Sequence, residues 1–252
     1  MKRKNIVQIV ESNQSKVSRE FSRFAHLYNT YNIIQSDVAK TLVESLEKKS
    51  YRTIIDLGCG SGKVHENIVN LDISFDSFVA VDISDKMLKI HSSEDRVQKV
   101  VADFNNSKEI ENLYNKVEDT LLISASALQW ADDLNSVFTS LSKIANQSYF
   151  AIFTSNTFKT LHSTANIKSP IHTPEALKKA IAKLYTSNMY TKEYRLEFKS
   201  VKEMFQYIKK SGVSGGNKQL GYKQLKHLME NYPLKYLEFE VLFVENASPK
   251  SR

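Results

Sequence analysis

Apolar and polar residues along this 252-residue chain alternate between two patterns. Short runs rich in β-branched and aromatic residues occur at 53–57, 78–84, 97–101, 120–123, 148–153, 194–198 and 236–244. Each has the length and composition of a strand. Between them lie segments with helical spacing: Val64, Ile68 and Leu71, then 133–145, 174–187, 201–210 and 222–231. Strand alternating with helix predicts an α/β sheet. Near the N-terminus Phe21, Phe24 and Tyr28 fall at i, i+3 and i+7, one stripe of a helix that would pack against the domain. From about 155 to 195 the pattern weakens into Ser, Thr and Asn with Pro170 and Pro174, as expected of an insertion. No internal repeat or low-complexity tract occurs, and the tail Ala247 to Arg252 is expected to fray.

Composition narrows the class. At this length, 41% apolar content builds one buried core, which excludes disorder as the main state. Net charge is +7, but residues 178 to 226 hold twelve Lys/Arg against three Asp/Glu. The positive field therefore belongs to the C-terminal third, where it is either a solvated lysine face or a surface for an acidic partner. A single cysteine, Cys59, excludes disulfide scaffolds and multi-cysteine metal sites, so no metal is expected. The basic start has no apolar stretch behind it, and no window approaches the ~20 apolar residues of a membrane span. A soluble cytoplasmic protein with no membrane partner is the expectation.

All seven glycines lie in 58–62 or 212–221. The first cluster, TIIDLGCGSGK, reads as a strand ending in Asp56, a tight turn through Gly58, Gly60 and Gly62, and a helix. Such a turn lets a ligand lie on the backbone at the carboxyl end of a strand. Its G-x-G-x-G spacing differs from the dinucleotide and phosphate-loop signatures, which disfavours NAD and ATP. A second strand ends in Asp82, placed to accept both hydroxyls of a ribose. A third leads to Asp103-Phe104, an acid beside an aromatic that could bond and stack on an adenine. Singly, each acid reads as a cap or turn residue; in this order they point to a nucleoside site.

That series, Asp56-x-Gly58-x-Gly60-x-Gly62, then Asp82, then Asp103-Phe104, resembles the class I S-adenosylmethionine-dependent methyltransferases over roughly residues 50 to 155. The resemblance implies a Rossmann-like, seven-stranded, mostly parallel sheet with an antiparallel edge strand, for which 236–252 is long enough. It implies S-adenosylmethionine as cofactor: Gly58, Gly60 and Gly62 on its methionine moiety, Asp56 facing the amino group, Asp82 on the ribose, Asp103 on the adenine, and Ile83, Met87 and Phe104 around the base. A division follows into an N-terminal helical lid (1–50), a cofactor-binding core (51–155), an insertion facing the substrate (156–235) and a terminal edge strand with tail (236–252).

The acceptor is approached through a second resemblance. F-x-R-x-A-x-x-Y from Phe21 through Arg23 to Tyr28, Gln35, Ala127-Leu128-Gln129-Trp130, Leu161-His162 and Lys209-x-x-Gly212 are similar to the malonyl-acyl-carrier-protein O-methyltransferases of early biotin synthesis, from about 18 to 244. Lys63-Val64-His65 and Ala145-Asn146-Gln147 depart from that pattern. The likeness implies an acyl carrier protein bearing a malonyl group as partner and Tyr28 as the catalytic residue orienting its carboxylate. Phe21, Arg23, Gln129, Trp130, His162, Lys209 and Lys210 would bind the substrate. Trp130 reads equally as a core anchor, and each lysine as a surface group. The segment after the fourth strand lacks the Asn/Asp-Pro-Pro-Tyr/Phe and Pro-Cys motifs of base methylation, which disfavours nucleic acid. A carboxylate with a reference pKa near ~4 is already ionised and needs no general base. Another small-molecule or RNA methyltransferase, and a non-catalytic cofactor-binding accessory protein, remain as alternatives.

Overall fold

A computed structural model describes residues 32–113, 119–211 and 221–250. Seven strands, β1 (Ser50–Leu57), β2 (Ser74–Asp82), β3 (Val97–Val101), β4 (Thr120–Ala125), β5 (Gln147–Phe153), β6 (Tyr185–Glu197) and β7 (Tyr236–Pro249), form one sheet in the order β3-β2-β1-β4-β5-β7-β6. The first five are parallel, while β7 runs antiparallel to both β5 and β6. Strand β1 therefore sits at the point where the order reverses, the place where open α/β sheets hold ligands beyond the strands' carboxyl ends.

Helices cover both faces. On one side α1 (Ile33–Glu44), α2 (Lys63–Asn70), α3 (Asp85–Ile90), α6 (Lys159–Ala165), α8 (Val201–Ser211) and α9 (Tyr222–Asn231) pack around Ile54, Phe78, Leu121, Tyr149 and Phe239. On the other, α4 (Ser107–Glu111), α5 (Leu134–Leu141) and α7 (Pro174–Leu184) pack around Ile55, Val81, Leu122 and Phe150. Burial on both faces is why β4 and β5 read as unbroken apolar runs. Caps fix where the helices start: Asp133 accepts from Asn135 N–H and Ser136 N–H, and Thr173 accepts from Ala176 N–H ahead of Pro174.

Three expected boundaries move. The reversed strand β7 is present, but it lies one position in from the edge, with β6 outermost. Residues 156–235, expected as an insertion facing the substrate, contain β6, which pairs along the length of β7. Its sequence, TSNMYTKEYRLE after the buried Tyr185, buries little, so it carries a weak apolar signal. Within the expected 1–50 lid, α1 is a core helix whose Ile34, Val38, Leu42 and Val43 are at most 3% exposed. Phe21, Arg23, Phe24 and Tyr28 lie outside the described residues.

Among the described residues no helix is long and apolar enough to cross a membrane.

Candidate active site

The site is built where β1, β2 and β4 end. Leaving β1, the chain turns through Gly58 (φ 72°), Gly60 (φ 53°) and Gly62 (φ 91°) into α2. Two positions show why glycine is needed. A Cβ at Gly58 would overlap Ala127 Cβ, which follows β4, and a Cβ at Gly62 would come within 2.8 Å of the His91 ring. Both also hold a backbone that L side chains avoid. The turn is tied to β2: the N–H groups of Gly58 and Cys59 donate to Val81 O at 2.8 and 2.9 Å. Gly60 N–H donates to Asp82 Oδ2 at 2.9 Å, and Ser84 N–H to Asp82 Oδ1 at 2.8 Å. Asp82 thus clamps the turn, and each of its oxygens keeps a further lone pair for a ligand hydroxyl.

Asp56 lies beneath this turn, fully buried, and neither carboxylate oxygen has a hydrogen-bond partner. Burial first, and the Asp82 charge second, hold its pKa well above the usual carboxylate range. Burial likewise raises Asp82, against the two backbone N–H bonds that lower it. Among the described residues neither acid has an ion pair. The Cys59 thiol between them is pushed up by burial and then by both carboxylates, so it stays protonated. Two enclosed acids without a counter-charge suit a cationic ligand, and the amino group and sulfonium of S-adenosylmethionine supply positive charge. Ser61 Oγ, in the same turn and also buried without a partner, adds polar capacity. On these grounds the residues fit the cofactor.

The residues expected around the base lie at the neighbouring strand tips. Ile83 is 36% exposed just past β2, while Met87 is buried in α3. Asp103 Oδ1 accepts from Asn105 N–H at 2.9 Å, and Asn105 Oδ1 accepts from Asp132 N–H at 2.8 Å, which links the β3 and β4 loops. Phe104 packs, half-buried, against the second core cluster.

The turn after β4 lies against the glycine turn through Ala127 and Gly58. Gln129 Nε2 donates to Ser126 O at 2.7 Å, and Trp130 N–H to Ala127 O at 3.1 Å. Gln129 Oε1 and Trp130 Nε1 are buried without partners. His162 stands on α6 beside Phe158, ring centroids 6.5 Å apart, with Nδ1 buried and unpaired. Burial alone lowers its pKa, so the ring is neutral at pH 7. Lys159, at the start of α6, lies 3.5 Å from Glu193, and His172 Nε2 lies 2.6 Å from Ala131 O. Lys209 and Lys210 fall in the last turn of α8, and their side chains lie outside the described residues.

The structure therefore gathers Asp56, Gly58, Gly60, Gly62, Asp82, Gln129 and Trp130 around one junction. Asp103, Phe104, Ile83 and Met87 stand at the tips of β2 and β3, and His162 stands beyond β5. Sequence reasoning missed Ser126 and Phe158, which follow β4 and β5 and have positive φ. Neither residue type signals that conformation, so no pattern in the chain pointed to it.

Comparison with known proteins agrees with this geometry. A methyltransferase domain family matches residues 55–152. A malonyl-acyl-carrier-protein O-methyltransferase of Bacillus cytotoxicus is 27% identical over 226 residues, covering 81% of this chain and 78% of that protein. Its counterpart from Bacillus anthracis is 24% identical, covering 82% and 83%. Among solved structures, the YcgJ protein of Bacillus subtilis superposes with a TM-score of 0.57 at 9% identity, covering 86% of this chain and 99% of that one. The geranyl diphosphate C-methyltransferase of Streptomyces coelicolor, solved with S-adenosyl-L-homocysteine, gives 0.50 at 14% identity, covering 83% and 79%. These structures share the fold.

Proposed function

We propose that this chain, a class I S-adenosylmethionine-dependent methyltransferase, esterifies the free carboxylate of malonyl-acyl carrier protein, an early step of biotin synthesis. Support for the acceptor comes from relatives of that name that align over about four-fifths of both chains. The cofactor, when bound, supplies a methyl on positively charged sulfur: a carboxylate lone pair forms the O–CH3 bond, the C–S bond breaks with its electrons kept on sulfur, and methyl ester plus S-adenosylhomocysteine result, with no proton released.

The protein's own work is to bind, orient and dry the pair. In this reading Asp56 faces the cofactor's amino group beneath Gly58, Gly60 and Gly62. Asp82 takes the ribose hydroxyls, Asp103 the adenine amino group, and Ile83, Met87 and Phe104 the faces of the base. Opposite charges cancel as the ester forms, so exclusion of water favours the transition state, and alignment supplies much of the rest. No residue is required as a base. Tyr28 orients the carboxylate through its hydroxyl, on a lid bearing Phe21 and Arg23. Gln129, Trp130 and His162 line the acceptor side, with Lys209 and Lys210 on the rim.

An acyl carrier protein is acidic, and the positive segment of the chain places exposed Lys178, Lys179 and Lys183 on α7, Lys199 before α8, Lys202 on it and Lys223 on α9. Such charge complementarity speeds encounter more than it fixes affinity. A reducing cytoplasm, where the carrier resides, suits a chain with one cysteine.

The test is transfer of labelled methyl from S-adenosylmethionine to malonyl-acyl carrier protein, malonyl-coenzyme A and RNA in parallel. Label on the carrier supports the reading, label confined to RNA replaces it with nucleic-acid methylation, and cofactor binding without transfer to any acceptor points to an accessory protein.

A further inference from the structure

Six described residues other than glycine have positive φ. Four are Asp72, Asp119, Asn166 and Asn246, residue types that tolerate that region. The other two, Ser126 (φ 63°) and Phe158 (φ 59°), lie in the loops that leave the adjacent strands β4 and β5. Strain of this kind costs about 1–3 kcal/mol per residue and persists only where the surroundings enforce it. Here they do. Ser126 N–H donates to Ala151 O at 2.9 Å, Gln129 Nε2 holds Ser126 O, and Phe158 N–H donates to Glu238 O at 2.8 Å.

At Ser126 the enforced backbone leaves a buried hydroxyl with no hydrogen-bond partner, and four residues on, Trp130 Nε1 is buried and unpaired as well. An unsatisfied buried polar group costs about 1–3 kcal/mol, so three within one short turn, these two and the acceptor-only Gln129 Oε1, mark a place kept for a ligand. An indole N–H only donates, and a hydroxyl can donate. The turn itself touches the glycine turn through Ala127 and Gly58, which brings any acceptor held there next to the cofactor. Lys159 is paired with Glu193, and burial lowers the His162 pKa.

We propose that the acceptor carboxylate is held by neutral donors, the Ser126 hydroxyl and the Trp130 indole N–H, rather than by a cation. This rests on the function proposed above. The energetic reason is that the acceptor loses its charge in the reaction. A cation would stabilise the ionised reactant more than the ester-like transition state and so raise the barrier. Neutral donors orient both oxygens with less of that penalty.

Trp130 is the sole tryptophan of the chain, so its emission reports this turn alone. The test titrates malonyl-pantetheine into the full chain saturated with S-adenosylhomocysteine, following emission and calorimetric heat. Binding should shift the emission. Ser126→Ala and Trp130→Phe should each raise that Kd about tenfold by calorimetry, at unchanged affinity for S-adenosylhomocysteine. If either fails to fold, Ser126→Gly, which relieves the backbone while removing the hydroxyl, must show the same loss. Wild-type binding preserved in Ser126→Gly or Ser126→Ala, or lost in Arg23→Gln alone, overturns the neutral-donor assignment. A wild-type protein that binds S-adenosylhomocysteine but not malonyl-pantetheine overturns the proposed acceptor instead.

Discussion

Replacing Asp56 by Asn should move stability and cofactor affinity in opposite directions. The carboxylate is fully buried, makes no hydrogen bond and feels Asp82 as a second negative charge. Its folded pKa is raised, so above the unfolded value of about 4 the folded state holds protons that the unfolded state has released. Stability is then lost as pH rises from that value through the folded pKa, and Asn escapes the loss. An unpaired buried ion costs several kcal/mol. Taking about 3 kcal/mol, at roughly 2–4 °C per kcal/mol for a chain of this size, the ligand-free variant should melt about 6–12 °C higher at neutral pH. The gain should vanish below about pH 4. Binding should weaken, because loss of one partner from a buried charge pair costs about 2–5 kcal/mol, at least about thirtyfold in Kd. Scanning calorimetry from pH 4 to 8 and titration with S-adenosylhomocysteine read both effects. A variant that melts lower than wild type, or binds equally well, refutes the assignment of Asp56 as an acid held ready for a cation.

Gly58→Ala should lose cofactor affinity by at least tenfold and lower the melting temperature, since its methyl overlaps Ala127 and φ is 72°; a left-handed alanine alone costs about 1–2 kcal/mol. Wild-type affinity by calorimetry would show that the turn yields. His65, against Phe75 and Phe78, and His91, against Phe78, are nearly buried and have pKa values lowered first by burial. Glu94 opposes that shift, while Arg96 adds to it at His65 and Lys99 at His91. Their neutral forms contribute stability above the unfolded value of about 6.5, and it is lost as pH falls below that, by up to about 1.4 kcal/mol per pH unit for each histidine. Comparing melting of wild type and His65→Phe from pH 7 to 5 cancels the opposing contribution of Asp56; parallel curves would mean the imidazole does not titrate. Tyr28→Phe should reduce turnover on malonyl-acyl carrier protein about tenfold or more at unchanged affinity for S-adenosylhomocysteine, and equal turnover would leave Tyr28 a packing residue.

What was legible in the chain follows from how local each signal is. Strands buried on both faces, such as β4 and β5, announce themselves as apolar runs, and the glycine turn shows because positive φ restricts its residue type. Asp56, Asp82 and Asp103 were readable because parallel strands place their carboxyl ends side by side. Strand β6 was caught only over its last residues: an edge strand buries little, and Asn188, Thr191 and Lys192 carry no strand pattern. The order of β6 and β7 depends on long-range pairing that periodicity does not encode. Ser126 escaped because its conformation is imposed from outside, by Ala151 O and the Gln129 side chain. The unpaired state of Asp56 is a property of burial, visible only once the chain is folded.

The central claim is that a cationic methyl donor over the tips of β1 and β2 meets an anionic acyl end beside Trp130. It is tested most directly by the mass of the acyl group on the carrier after incubation of malonyl-acyl carrier protein with the protein and S-adenosylmethionine. The account predicts malonyl heavier by one methyl group, lost again on mild ester hydrolysis, with one S-adenosylhomocysteine formed per ester. An unchanged malonyl group while S-adenosylhomocysteine accumulates would contradict it.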